Sequence, residues 1–163
     1  MSVKIDFAKI KFLVIDPNPL AVDLLRDILV MLGAVQIVKA NNSDRAIDLL
    51  KTEPFDIVIT ELEITPLNGF ELVRWLRFDR KSPDNMLPTI MLTARSEKEY
   101  VSEARDLGCT EFLAKPYSVQ GLYARLVSVI AKPRQFVRVG NYFGPDRRRR
   151  RATYSGPDRR QQA

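Results

Sequence analysis

The sequence predicts an α/β fold: a (βα)5, doubly wound, parallel five-stranded sheet followed by a basic C-terminal extension. Three observations predict it. Short apolar runs alternate five times with segments whose apolar residues recur at helical spacing. Several of those runs are continuously apolar, as strands covered on both faces are. The helical pattern ends near Lys132-Pro133, and arginine dominates from there on.

Lys11-Phe-Leu-Val-Ile15 is a short apolar run that ends at Asp16, and it reads as a buried strand. Asn18 is suited to cap a helix with Pro19 at its first position. That helix carries Leu20, Leu24, Leu25, Ile28, Leu29 and Leu32, and Gly33 stops it. Val35 to Ala40 is a second strand. Ser43 starts a second helix, with Ala46, Ile47, Leu49 and Leu50 on one side. Ile57-Val-Ile-Thr60 is the third strand, and a turn-rich loop follows, Thr65-Pro-Leu-Asn-Gly69. Phe70 to Phe78 is the third helix and Thr89 to Thr93 the fourth strand. Ser96 and Glu99 have capping-box spacing for a fourth helix that ends at Gly108. Glu111 to Ala114 is the fifth strand. Ser118 caps a last helix that runs to about Ala131. Strands alternating with helices in this way imply a parallel sheet with helices on both faces.

The charge is divided unevenly. Residues 134–163 hold nine arginines against two aspartates, a balance of +7, so the total of +6 leaves −1 on residues 1–133. A neutral body with a basic extension points to an acidic partner taken by the extension. Cys109 is the single cysteine, which rules out an intrachain disulfide and suits a cytoplasmic protein. With one Cys and no His, a zinc site is close to excluded. The N-terminus shows no signal-peptide pattern, and no stretch approaches the roughly 20 apolar residues of a membrane span.

In a parallel α/β sheet, functional residues gather at the carboxyl ends of the strands. Here those ends present Asp16, Glu61, Thr93 and Lys115. Strands often end in polar loop residues, but an acid, an acid, a hydroxyl and a lysine converging on one edge favour a shared site. In order along the chain, Ile15-Asp16-Pro17-Asn18-Pro19, Asp56-Ile-Val-Ile-Thr-Glu61-Leu62, Asn68-Gly69-Phe70-Glu71, Met91-Leu-Thr93-Ala94 and Phe112-Leu-Ala-Lys115-Pro116 resemble the motifs of the CheY-like response-regulator receiver domain of two-component signalling. The resemblance covers about residues 9–131, and leaves 132–163 as an arginine-rich tail. It implies a flavodoxin/CheY-like fold, Thr93 as the switch hydroxyl, Phe112 as the switch aromatic and a cis Lys115–Pro116 bond.

Receivers of this family take a phosphoryl group onto an aspartate at the end of the third strand, with Mg²⁺ held by carboxylates and phosphate oxygens. Two positions depart from that pattern. Glu61 stands at the phosphoacceptor position, and Pro17 stands where the second metal-binding acid of the first strand belongs. Glu61 is one methylene longer, and a displacement near 1 Å can cost about a hundredfold in rate. Proline offers no ligand, so Asp16 alone remains of the acidic pair and Mg²⁺ is not expected to be held. The expectation is a pseudo-receiver that is not phosphorylated and is not an enzyme. Two readings of Glu61 stay open: a carboxylate reaching Lys115 and Thr93 in crude imitation of an acyl phosphate, or a drifted residue merely paired to Lys115.

The extension repeats itself. Tyr142-Phe143-Gly144-Pro145-Asp146-Arg147-Arg148 returns 12 residues later as Tyr154-Ser155-Gly156-Pro157-Asp158-Arg159-Arg160, a Y-x-G-P-D-R-R motif in tandem. Pro suits the second position of a β-turn that would present the following side chains outward. Arginine forks onto guanine O6 and N7 or onto phosphate, an acid accepts from base donors, and tyrosine stacks on bases. Two guanines and two phosphates would match a duplicated motif. The tail also resembles the arginine-rich extension of CheY-like cyclic-di-GMP effectors of bacteria. That resemblance implies cyclic-di-GMP as ligand and Tyr142, Asp146, Arg147, Arg148, Tyr154, Asp158, Arg159 and Arg160 as its contacts. Arg134 and Arg138 are added as residues able to close over phosphates. It further implies a protein target such as the flagellar motor or a signalling kinase. Otherwise the extension reads as disordered alone and folding on binding, too short and too polar for a helix-turn-helix output domain. Two alternatives remain: a conventional phosphorelay receiver served by a histidine kinase, and a nucleic-acid or acidic-protein adaptor. The latter is less favoured because a pure electrostatic clamp needs neither Tyr nor Asp.

Overall fold

The computed structural model describes residues 4–148. After a short 3-10 turn at Phe7–Lys9, strands and helices alternate: β1 (Lys11–Ile15), α1 (Pro19–Met31), β2 (Gln36–Ala40), α2 (Ser43–Thr52), β3 (Ile57–Thr60), α3 (Gly69–Phe78), β4 (Thr89–Thr93), α4 (Lys98–Asp106), β5 (Glu111–Ala114) and α5 (Val119–Ala131). The strands are all parallel, in the order β2-β1-β3-β4-β5.

Alternation along each strand sends side chains to opposite faces. Phe12 and Val14 join Leu25, Leu29, Ile57, Ile59, Leu122 and Leu126 in one apolar layer, while Leu13 and Ile15 join Leu49, Leu50, Val58, Leu72 and Leu76 in the other. A third cluster, with Phe70, Met91, Ala104 and Cys109, lies towards α4 and takes in half-buried Phe112.

Local chemistry sets most helix starts. Asn18 accepts from the Leu20 amide with Pro19 at the first turn. Asn42 caps α2, Asn68 and Glu71 form a reciprocal capping box on α3, and Ser118 accepts from the Gly121 amide at α5. Helix α4 departs from expectation. It begins at Lys98 with no side-chain cap, because the Glu97 carbonyl rather than that of Ser96 receives the first amides, from Tyr100 and Val101. The Thr65–Pro66 and Lys115–Pro116 bonds are cis.

The extension holds more order than its composition suggests. Phe136–Val139 (β6) and Tyr142–Pro145 (β7) form an antiparallel hairpin, so the disordered reading does not hold for these residues. The turn lies at Gly140-Asn141, with Gly140 at φ +59°, rather than at Gly144-Pro145, which ends a strand. A two-residue loop with glycine first is one of the favoured hairpin connections.

That hairpin packs on the end of the body where α4 passes into β5. Arg77 is buried there at 2% exposure, and its guanidinium donates to the carbonyls of Gly108, Asn85 and Leu87 and to the Thr89 hydroxyl. Phe136 covers it, 5.0 Å from guanidinium carbon to ring centre. Burial lowers the Arg77 pKa to about 10, partly offset by Cys109, Tyr142 and Asp84. Arg77 is therefore a charged core residue held by carbonyl dipoles and an aromatic face.

Candidate functional site

The carboxyl edge of the sheet brings the expected strand-end residues together. β1 and β3 are paired in register from Phe12 with Ile57 to Ile15 with Thr60, so the next residues, Asp16 and Glu61, emerge side by side. β5 then delivers Lys115 after Ala114. The Lys115 ammonium donates to Asp16 Oδ2 at 2.7 Å and to Glu61 Oε2 at 2.8 Å. The other oxygens are engaged as well. Asp16 Oδ1 accepts from the Asn18 amide at 2.9 Å, and Glu61 Oε1 from the amides of Leu62 at 2.8 Å and Glu63 at 3.2 Å.

Burial alone would raise the Glu61 pKa. Hydrogen bonds from Lys115, Thr93 and the Glu63 amide outweigh it, and the Lys115 charge adds to them, so the carboxyl is held below its ordinary value. For Lys115, burial opposes the charge, but Asp16 and Glu61 more than compensate and its pKa is raised. Both partners are therefore held ionised. Thr93 is buried, and its hydroxyl accepts from the Arg95 amide at 3.2 Å. Pro17 is exposed and adds no polar side chain.

The site can be tested against a divalent cation. Its two carboxylates share an ammonium, each also accepts backbone amides, and the neighbouring position is a proline. Among the described residues, no group of three or more His, Cys, Asp or Glu side chains is placed to hold a metal. Asp16 and Glu61 are oxygen donors of the kind Mg²⁺ takes, but both are paired to the Lys115 ammonium and Pro17 adds no third carboxylate. Beneath this edge lies an apolar cavity of about 170 Å³ between the sheet and α1, lined by Val14, Ala21, Leu25, Ile59, Leu92 and Tyr117.

The tail residues lie at a different place. Asp106 at the end of α4 and the first copy of the repeat form one cluster. Arg147 donates to Asp106 at 3.0 Å, and its guanidinium lies 4.5 Å from the centre of the Tyr142 ring. Tyr142 donates to the Pro145 carbonyl at 2.6 Å, and burial raises its pKa although Arg147, Arg134 and Arg77 oppose that. Asp146 accepts from the Arg148 amide at 3.0 Å and from the Arg148 guanidinium at 3.3 and 3.5 Å, which holds its carboxyl below the ordinary range.

Arg134 and Arg138 do not share one role. Arg134 turns into the body and donates to the carbonyls of Thr110 and Asp146, whereas Arg138 lies 4.6 Å over the Phe143 ring. Tyr154, Asp158, Arg159 and Arg160 fall outside the described residues. Sequence reasoning missed Asp106 and Arg77. No local signal marks either, because each gains its meaning from a hairpin that arrives about 30 to 60 residues later.

Comparisons with known proteins agree on the body. The family described as response regulator receiver domain matches residues 12–127. A chemotaxis protein CheY homolog of Campylobacter jejuni is 31% identical over 121 residues, 74% of this chain and 92% of that protein. The structure of the chemotaxis response regulator CheY4 of Vibrio cholerae superposes with a TM-score of 0.66 at 24% identity, covering 74% of this chain and 98% of that one. A putative response regulator from Chloroflexus aurantiacus gives a TM-score of 0.69 at 22% identity, covering 76% and 98%. The family match ends at residue 127, before the extension.

Proposed function

The chain belongs to the response regulator receiver family, and we propose that this receiver-type signalling protein takes its input through the tail, as a guanine dinucleotide, rather than through phosphorylation. The tandem Y-x-G-P-D-R-R motif carries this reading. Its first copy supports it by standing at the surface, with the side chains of Arg147 and Arg148 exposed at 45% and 72% beside an aromatic ring and an acid. Cyclic-di-GMP supplies what such groups recognise: two guanines and two phosphates. The second copy, at Tyr154, Asp158, Arg159 and Arg160, would supply the other half-site.

The strand-end geometry supports a closed phosphorylation route. Lys115 stands between the two remaining carboxylates as a built-in cation, with which Mg²⁺ would have to compete. Glu61 directs one oxygen to Lys115 and the other to backbone amides, and Thr93 also hydrogen-bonds to it, a pattern that fits plain pairing and imitation of an acyl phosphate alike. On this reading the protein is not an enzyme, requires no cofactor and acts in the cytoplasm by engaging a protein target. Its similarity to chemotaxis proteins supports a signalling target, for which the flagellar motor or a signalling kinase is the proposal.

The conventional phosphorelay reading keeps specific support, since Thr93, Lys115 and the CheY-like body are retained. Incubation with acetyl phosphate and Mg²⁺, followed by intact mass, separates the two. No adduct is expected, and a stoichiometric phosphoryl adduct would overturn the closed-pocket reading. Calorimetry against cyclic-di-GMP, GTP and a short RNA tests the tail. Saturable binding of the dinucleotide alone is expected, and its absence sinks the proposal.

A further inference from the structure

The first copy of the repeat is fastened to the receiver body at three points. Phe136 covers the buried Arg77 guanidinium at 5.0 Å. Arg134 bridges the carbonyls of Thr110 in the body and Asp146 in the tail. Gly144 meets Gly108 so closely that a Cβ on Gly144 would stand 2.6 Å from Gly108 Cα and 2.7 Å from the Tyr142 hydroxyl. Gly108, at φ +95°, is equally constrained, since a Cβ there would lie 2.6 Å from the Phe143 carbonyl.

Beyond these anchors the recognition groups are already in use. The Tyr142 ring carries Arg147, whose charge is met by Asp106, and Arg148 folds back onto Asp146. The groups that would stack on a base and fork onto a phosphate are thus occupied, and the body supplies one of the counter-ions.

We propose that the receiver body forms part of the tail's anion site: the hairpin stays docked while ligand binds, and Asp106 is the internal counter-ion that a ligand phosphate displaces from Arg147. The inference rests on the guanine-dinucleotide reading and adds that the body sets the affinity. Relative strengths decide which contacts give way. The Arg147–Asp106 pair is half exposed, at 45% and 54%, and such pairs are weak. The Gly144–Gly108 contact is buried and the Phe136 and Arg134 contacts half-buried, and undocking the hairpin would uncover the Arg77 guanidinium and take the Arg134 donor from the Thr110 carbonyl. A phosphate therefore takes the arginine and leaves the hairpin in place. Asp106 also ends α4, where the helix's negative pole disfavours an acid, so an amide there suits the helix.

The test is calorimetry with cyclic-di-GMP on the full chain and two variants. Asp106→Asn removes the competitor and is expected to tighten binding by up to about fivefold. Gly144→Ala pushes the hairpin off Gly108 and is expected to weaken binding by about tenfold or more. Hydrogen exchange of residues 136–145 is expected to show protection before ligand is added and the same protection after. If the wild type binds but both variants keep its affinity, or if ligand removes the protection, the inference falls and the dinucleotide reading stands. If the wild type does not bind, both fall. Asp106→Asn, at an exposed site, keeps the test decisive should Gly144→Ala misfold.

Discussion

Lys115 settles what two adjacent carboxylates can do. With its ammonium between them, the repulsion between Asp16 and Glu61 is replaced by attraction to a shared partner. Removing one acid should cost about 1–2 kcal/mol, between the values for exposed and fully buried pairs. The pH dependence follows from the shifts. Glu61 is depressed, so its contribution is present above its ordinary 4.5 and fades as pH falls through the lower folded value. Lys115 is raised, so its contribution is present below its ordinary 10.5 and fades only as pH rises through the higher folded value. The stability gap between wild type and Glu61→Gln is thus expected to be flat near neutrality and to close in acid, as urea titrations at several pH values would show. A gap that persisted unchanged in strong acid would contradict the ion pair.

A substitution of the lysine itself probes the cation. Lys115→Met leaves Asp16 and Glu61 facing one another and should cost about 2–3 kcal/mol. Part of that loss should return with added Mg²⁺, which can then occupy the space of the ammonium and stabilise by linkage. The wild-type melting temperature should not respond to Mg²⁺. A wild-type response would mean that the site takes the metal despite Lys115. The members of this site were legible in the sequence because each terminates a recognisable strand. Their hydrogen-bond pattern was not, since Asp16 and Lys115 are 99 residues apart and only the parallel register joins them.

At the scale of elements, the contrast lies between helices and the hairpin. The caps at Asn18 and Ser118 were readable because a side chain and its target amide sit within three residues of each other. The Phe136-Val-Arg-Val139 and Tyr142-Phe143 segments around Gly140-Asn141 also carry a hairpin signature of aromatic and β-branched residues about a two-residue loop. Arginine content and the repeated motif obscured that signature. What no local pattern reveals is the receptor for the hairpin, which depends on Arg77 in α3. Arg77→Lys tests how this receptor is held. An ammonium cannot span three carbonyls and a hydroxyl as a planar guanidinium does. The expected loss is about 2–4 kcal/mol of body stability, with faster hydrogen exchange throughout β6 and β7. Loss of body stability with unchanged hairpin exchange would show that the hairpin does not depend on Arg77.

For the whole molecule, the decisive property is the separation of charge: −1 on residues 1–133 and +7 on residues 134–163. A basic tail alone would serve any polyanion, so the ligand class must be distinguished by how binding responds to salt. A long single strand releases condensed counterions, and its affinity falls with log salt at about −0.7 per phosphate engaged, a slope near −5 if seven arginines are used. A dinucleotide has two phosphates and no condensed atmosphere, so its slope should be no steeper than about −2. If the tail takes the dinucleotide, stacking on Tyr142 and a hydrogen bond from a base to Asp146 should persist as salt rises, because neither depends on counterion release. Calorimetry from about 50 to about 200 mM salt should therefore leave cyclic-di-GMP binding within about twentyfold while any RNA affinity collapses by about a thousandfold. If RNA instead binds more tightly than the dinucleotide at the upper salt concentration, the tail is a nucleic-acid clamp carried on a receiver body. The aspartates of its motif then serve only to hold their own arginines, as Asp146 holds Arg148.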